Sequence, residues 1–203
     1  MPARRRKRGS GPDPDTRAKL IRCGMELLTE RGFHAMGIEE VLTRVGVPKG
    51  SFYHYFQSKQ AFGETVIDAY AAYFNRKLDR ILNDTSTSPM ARLKAFVHEA
   101  SAAMARFSFQ RGCLIGNMGQ ELGGLNDNFR GRLEAVLQSW QTRVAICLAE
   151  ARHAGEISLD QDVHALAEFF WIGWEGAILR AKLTRSTAPM ERFSDLFFSR
   201  VCV

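Results

Sequence analysis

The chain has 203 residues, 45% of them apolar and 25% charged, with a formal net charge of +6. That balance excludes a disordered polyelectrolyte and a disulfide-stapled miniature, and the length allows one or two domains with a real core. The charge is uneven: residues 1–60 hold twelve Lys/Arg against six Asp/Glu, while residues 61–203 hold sixteen of each, so a cationic end on a neutral body points to a polyanion partner for that end.

Residues 1–12 read as a flexible basic arm with Arg4, Arg5, Arg6, Lys7 and Arg8. No apolar stretch follows the arm, so it is not a secretory signal. Asp13 or Asp15 is placed to cap a first helix at about 15–31, whose apolar stripe is Leu20, Ile21, Met25, Leu27 and Leu28, with Gly32 just past its end. A short second helix at about 38–45 turns Ile38, Val41, Leu42 and Val45 inward and stops at Gly46; Pro48 opens a third at about 49–56. A longer helix at about 60–83 carries Phe62, Val66, Ile67, Tyr70, Phe74, Leu78 and Ile81 on one side. After the loop NDTSTSP come a helix at about 90–107, a glycine-rich piece at 111–124, and helices at about 128–153, 161–183 and 189–201. No stretch alternates with period two, so the fold class is all-α.

Four cysteines, Cys23, Cys113, Cys147 and Cys202, are widely spaced, with no CxxC pair and no Cys/His cluster at zinc spacing. They read as reduced thiols of a cytoplasmic protein, with no metal or cofactor expected. The most apolar run, FFWIGW, is far short of the ~20 residues that span a bilayer, so no membrane partner is expected.

A short helix, a glycine, a proline and another short helix make a helix-turn-helix signature. Within VPKGSFYHYFQSK (47–59), Phe52 and Phe56 are four apart and turn to the core. Lys49, Tyr53 and His54 lie off that face and supply donors for phosphates and base edges. Gly50 and Ser51 are small and sit where the backbone approaches DNA closely. An ordinary buried aromatic turn is the alternative.

The run GIEEVLTRVGVPKGSFYHYFQSKQAF resembles the DNA-binding head of TetR-type transcriptional repressors, closely over about residues 15–65 and loosely beyond. The resemblance implies Lys49, Gly50, Ser51, Tyr53 and His54 at DNA, with Tyr55 and Lys59 on phosphates. It implies a three-helix helix-turn-helix head at 13–60 and a helical-bundle body for effector binding and dimerisation at 61–203. Gly37 departs from the pattern, because the family often has Thr there; a cap and a phosphate contact are missing. Arg4, Arg5 and Arg6 are expected in a minor groove or along phosphates, or else as a tail adding only non-specific attraction.

DVHALAEFFWIGWEGAILRAKL is apolar around nearly its whole circumference, which calls for burial on more than one side. A homodimer provides it: Phe170, Trp174 and Ala177, with Phe193 and Phe197 of the last helix, are expected in a four-helix interface, the dimerisation mode of the TetR type. Two heads ~34–36 Å apart would read a near-palindromic operator.

RGCLIGNMGQELG and WIGWEGAILRAKL resemble the acrylate-responsive and N-ethylmaleimide-responsive branch of TetR-type repressors. That resemblance implies a small electrophile or unsaturated carboxylate as effector, with Cys113 able to act as sensor. Trp171, Trp174, Met118, Phe107 and Leu114 are candidate walls, Asn117, Gln120 and Glu175 candidate orienting groups, and Arg180, Arg143 and Arg111 candidate partners for a carboxylate. An inert packed Cys113 and purely structural tryptophans are the alternatives.

Together these readings describe a ligand-responsive, dimeric repressor and not an enzyme, whose heads are swung apart through the helix at 60–83 when the body binds a small molecule. Two other classes remain: an enzyme using Cys113 on small electrophiles, and a DNA binder indifferent to sequence.

Overall fold

The computed structural model describes residues 14–202. The expectations for the basic arm, including Arg4, Arg5 and Arg6, lie outside the described residues. Among the described residues the only β pairing is an isolated bridge between Ile157 and Cys202; everything else of regular structure is helical, as the patterning requires.

The head contains α1 (Pro14–Arg31), α2 (Ile38–Val45), a single 3-10 turn (Lys49–Ser51) and α3 (Phe52–Tyr55). Gly46 ends α2 in the left-handed region, at φ 72°, where a side chain would be strained. At the other end of α2, Gly37 offers no side-chain cap. A four-residue helix is not stable by itself. α3 is held by a ring cluster: Phe52 lies 5.4 Å from both Phe56 and Phe62, and Phe56 lies 4.8 Å from Phe62, centroid to centroid. Phe52 is fully buried, a burial that contributes about 1.5–3 kcal/mol. The aromatic density of the segment is thus half anchor, half surface, with Tyr53 67% exposed.

α4 (Lys59–Leu82) starts on a Ser58 cap, whose Oγ accepts from the Ala61 N–H at 3.0 Å, and runs from the head into the body. There it packs against α5 (Pro89–Arg106), α6 (Leu114–Leu122) and α7 (Asp127–His153); α8 (Val163–Thr184) and α9 (Ala188–Val201) complete the bundle. The glycine-rich piece is therefore partly helical. α7 is registered on α4 by three polar contacts: Arg132 to Asp68 at 2.6 Å, Trp140 Nε1 to Asn75 at 3.0 Å and Arg143 to Asp79 at 2.7 Å. Buried Arg92 ties off the end of α4, donating to the Leu82 carbonyl at 3.0 Å and to Glu150 at 2.5 Å.

The outer face of the bundle corrects the expected dimer surface. Phe170, Trp174, Ala177 and Phe197 are buried within the subunit, and Phe193 is half-buried against Phe170 and Trp174. The reason is helical phase: α8 needs one face for its own core, and Phe170 and Trp174 stack there, 6.0 Å apart. The opposite face leaves Phe169, Ile172, Leu179 and Leu183 exposed, with Leu196 on α9. Phe169, Ile172, Gly176, Leu179 and Leu183 follow a three-four spacing, the seam of helices that pack on another helix.

Candidate functional site

Two regions are candidates for function. The first is the outer face of the helix-turn-helix. Lys49, Gly50, Tyr53 and His54 are exposed and contiguous, and Ser51 and Tyr55 are half-buried beside them. Lys49 is paired with Glu39 at the start of α2; each holds the other's charged form, raising the lysine pKa and lowering the carboxylate pKa. Lys59 is turned partly inward: its ammonium sits 4.9 Å from the Phe33 ring centroid and donates to the His34 carbonyl at 3.3 Å.

The second is a cavity of about 310 Å³ between α1 and the helices of the body. Its apolar walls include Tyr70, Phe74, Met104, Trp171, Trp174 and Ile178, and Cys113 and Glu175 supply polar groups within them. Four cations, Arg22, Lys77, Arg106 and Arg111, and one further carboxylate, Glu26, also line it. Arg111 bonds Glu30 at 3.0 Å and lies over the Phe107 ring at 4.3 Å.

The polar wall is short of partners. Trp171 Nε1, Trp174 Nε1 and Glu175 Oε1 are buried with no hydrogen bond. Glu175 is half-buried as a residue, yet its carboxyl end is sealed. Burial pushes that carboxyl up to about 7, against a smaller opposing pull from the Cys113 thiol. Burial, and then the Glu175 charge, push the Cys113 thiol well above its ordinary range, so it is a poor thiolate source. Tyr70 is raised well above its ordinary range too, by burial first and then by the charges of Cys113 and Glu175. Gly116 permits this arrangement, since a β-carbon there would overlap the Glu175 carboxylate.

Of the sequence-derived set, Cys113, Trp171, Trp174 and Glu175 meet at this cavity, and Phe107 and Arg111 line it too. Asn117, Gln120 and Arg180 are not brought there: Asn117 donates to the Thr29 carbonyl at 2.9 Å, and the other two are exposed. Met118 and Leu114 are core, and Arg143 is spent on Asp79. Sequence reasoning missed Arg22, Met25, Glu26 and Thr29 of α1, whose approach to the body has no one-dimensional signal. Tyr70 and Phe74 were visible only as members of the α4 stripe.

α6 runs from the cavity to the segment joining α1 to α2. Its start carries Cys113 and Gly116 at the cavity. Near its other end, Glu121 accepts from the backbone N–H groups of Phe33 and His34, each at 2.6 Å, and pairs with His34 Nδ1 at 2.7 Å. Burial raises this carboxyl, but the two N–H groups and the ring outweigh it and hold it below the usual range. Residues 33 and 34 lie on the segment joining α1 to α2, so the body grips the head at that corner.

The family model "Bacterial regulatory proteins, tetR family" matches residues 20–64, and "Tetracyclin repressor-like, C-terminal domain" matches residues 89–197. The chain is 50% identical over 196 residues to the transcriptional regulator AcuR of Cereibacter sphaeroides, covering 97% of this chain and 90% of that protein. It is 29% identical over 177 residues to the HTH-type transcriptional repressor NemR of Escherichia coli (strain K12), covering 87% and 89%. The crystal structure of regulatory protein TetR from Rhodobacter sphaeroides superposes with a TM-score of 0.89 at 51% identity, covering 93% of this chain and 99% of that one.

Proposed function

The chain belongs to the TetR family of bacterial transcriptional regulators, and on that premise we propose that it represses transcription by binding a palindromic operator as a homodimer and releases it when a small molecule such as acrylate or a related electrophile enters the body. One observation carries this reading: an exposed Lys-, Tyr- and His-bearing reading face and a ligand-sized cavity belong to one fold and are joined by α4 and α6. Lys49, Gly50, Ser51, Tyr53, His54 and Tyr55 contact the DNA. Lys59, held by Phe33 and His34, either reaches a phosphate after a rotamer change or fixes the corner beside it. Cys113, Trp171, Trp174 and Glu175 form the inner wall of the effector site. The dimer forms through the exposed seam of α8 with α9, which sets two heads at successive major grooves.

Release follows from differential binding. A ligand that favours one placement of α6 over another shifts the corner at 33–34, and coupling of ~1–3 kcal/mol suffices to change operator affinity by one to two orders of magnitude. The raised Cys113 pKa weighs against a Cys113-dependent enzyme, and similarity to named regulators weighs against it too. A protein indifferent to sequence would bind random DNA as tightly as any operator.

Fluorescence anisotropy of the DNA upstream of the protein's own gene, titrated against excess random DNA with and without acrylate, tests the proposal. Tight binding that survives competitor and falls with acrylate is the expected result. Binding lost to competitor at raised salt would remove the operator model.

A further inference from the structure

Trp171, Trp174 and Glu175 are three and four residues apart on α8, so their side chains share one helix face and reach the same cavity. Each carries a buried polar atom with no partner: two indole N–H donors and one carboxyl oxygen. Buried polar groups left unmet are costly, and three on residues of one cavity wall leave a place for another group to supply the hydrogen bonds. The partner must accept from both indoles. Of the four cations of the wall, Arg111 is paired with Glu26 and Glu30 and Lys77 with Glu99, so Arg22 and Arg106 are the ones that draw an anion. An aromatic pocket with two carboxylates, Glu26 and Glu175, also suits an organic cation, but a cation would leave both indole N–H groups unsatisfied.

We propose that the cavity takes up a small monocarboxylic acid together with one proton, the ligand carboxylate accepting from the Trp171 and Trp174 indoles and sharing the proton with the carboxyl of Glu175. This rests on the reading of the cavity as the effector site and adds how that site recognises its ligand. Two carboxylates pressed together away from water cannot both stay charged, so this mode of binding puts one proton between them. The burial that already lifts Glu175 to about 7 places the proton on the protein side in the empty site at mildly acid pH. The other groups facing Glu175 do not compete: Cys113 from the segment before α6 and Tyr70 from α4 both titrate far higher. The charged groups from the remaining elements, Arg22 and Glu26 of α1, Lys77 of α4, Arg106 of α5 and Arg111, belong to the wall without bonding Glu175. The sign follows. Below about pH 7 Glu175 is protonated before the ligand arrives and affinity is flat; above it each acid molecule must bring a proton and affinity falls ~10-fold per pH unit.

Isothermal titration calorimetry of the full-length protein with propionate and with acrylate, in pairs of buffers of different ionisation enthalpy, counts the protons. Propionate has the charge and size of acrylate without its double bond, so it isolates recognition from thiol addition. The expected result is uptake of about one proton per acid at roughly pH 8.5, little at roughly pH 6, and a Glu175→Gln protein whose affinity is flat with pH and takes up none. The wild-type count decides even if that variant folds poorly. Propionate binding with no proton uptake at high pH would overturn the proposal, and so would binding of acrylate alone or of neither acid. Acid binding is read on the free protein, so its failure with operator binding intact removes only this inference. Proton-linked binding that leaves operator affinity unchanged removes the effector reading instead.

Discussion

Replacing Glu121 by Gln tests whether α6 holds the head. The carboxylate accepts two backbone N–H groups at 2.6 Å and pairs with the His34 ring at 2.7 Å. The ring is 64% exposed, so its pair adds little, under about 1 kcal/mol. The backbone pair is the main term, because hydrogen bonds to a charged acceptor are worth ~1.5–3 kcal/mol each and Gln keeps one acceptor oxygen where there were two. The second position becomes an NH2 group facing an N–H donor. A loss of about 2 kcal/mol in attachment of the 33–34 corner follows, or an open population raised roughly 30-fold. Amide exchange read by mass spectrometry should speed up by that factor across 32–37 and not across α7 or α8. Acrylate should then shift operator affinity less than in the parent. The pH dependence has a definite sign: this carboxylate is depressed in the fold, so the grip is complete above the ordinary carboxylate pKa and is lost as pH falls through the lower, folded value. Unchanged exchange at Phe33 and His34 would refute the grip. Faster exchange with full effector response would refute its role in coupling and leave α4 as the route.

Phe52→Ala should cost about 3–5 kcal/mol and lower the head's melting transition in a thermal scan followed by circular dichroism, because Phe52 is the fully buried member of α3 in the ring cluster that anchors it. Glu39→Gln frees Lys49 from its ion pair, so operator affinity should rise a few-fold at low salt with a steeper salt dependence in anisotropy. Burial and the Glu175 charge keep the Cys113 thiol protonated, so peptide mapping after iodoacetamide at neutral pH should find half-buried Cys202 alkylated well before Cys113. Ile172→Glu places a charge on the exposed seam, and sedimentation velocity should show monomer at concentrations where the parent is dimeric, with helicity unchanged.

Element order was legible because helical punctuation is local. Gly46, Pro48, Ser58 and Pro89 stop or start helices by their own chemistry, and the structure's boundaries fall within a residue or two of them. α6 was obscured, since Gly116 and Gly119 lower helix propensity and only packing against α7 and α1 overrides it. The reading face was legible for a different reason: its residues are neighbours in the chain. The cavity gathers side chains from α1, α4, α5 and α8, so single-sequence reading found those on the two tryptophan- and cysteine-bearing stretches and passed over α1 entirely. The phase of α8 was misjudged because a helix apolar all round does not declare which face is core; that was decided by Phe193 and Phe197 of α9 packing on Phe170.

The presence of Arg22, Met25, Glu26 and Thr29 in the cavity wall bears on how such proteins are rebuilt. On the proposed function, the helix that braces the DNA-reading face on one side lines the effector cavity on the other, so the two are not interchangeable modules. A chimera joined at residue 60, as for two cartridges, would carry a foreign strip of wall into the sensor and alter its inducer range along with its operator. A graft that transplants only the outward surface of residues 38–55 and keeps the native rear of α1 should change the DNA address while leaving the chemical input as it was.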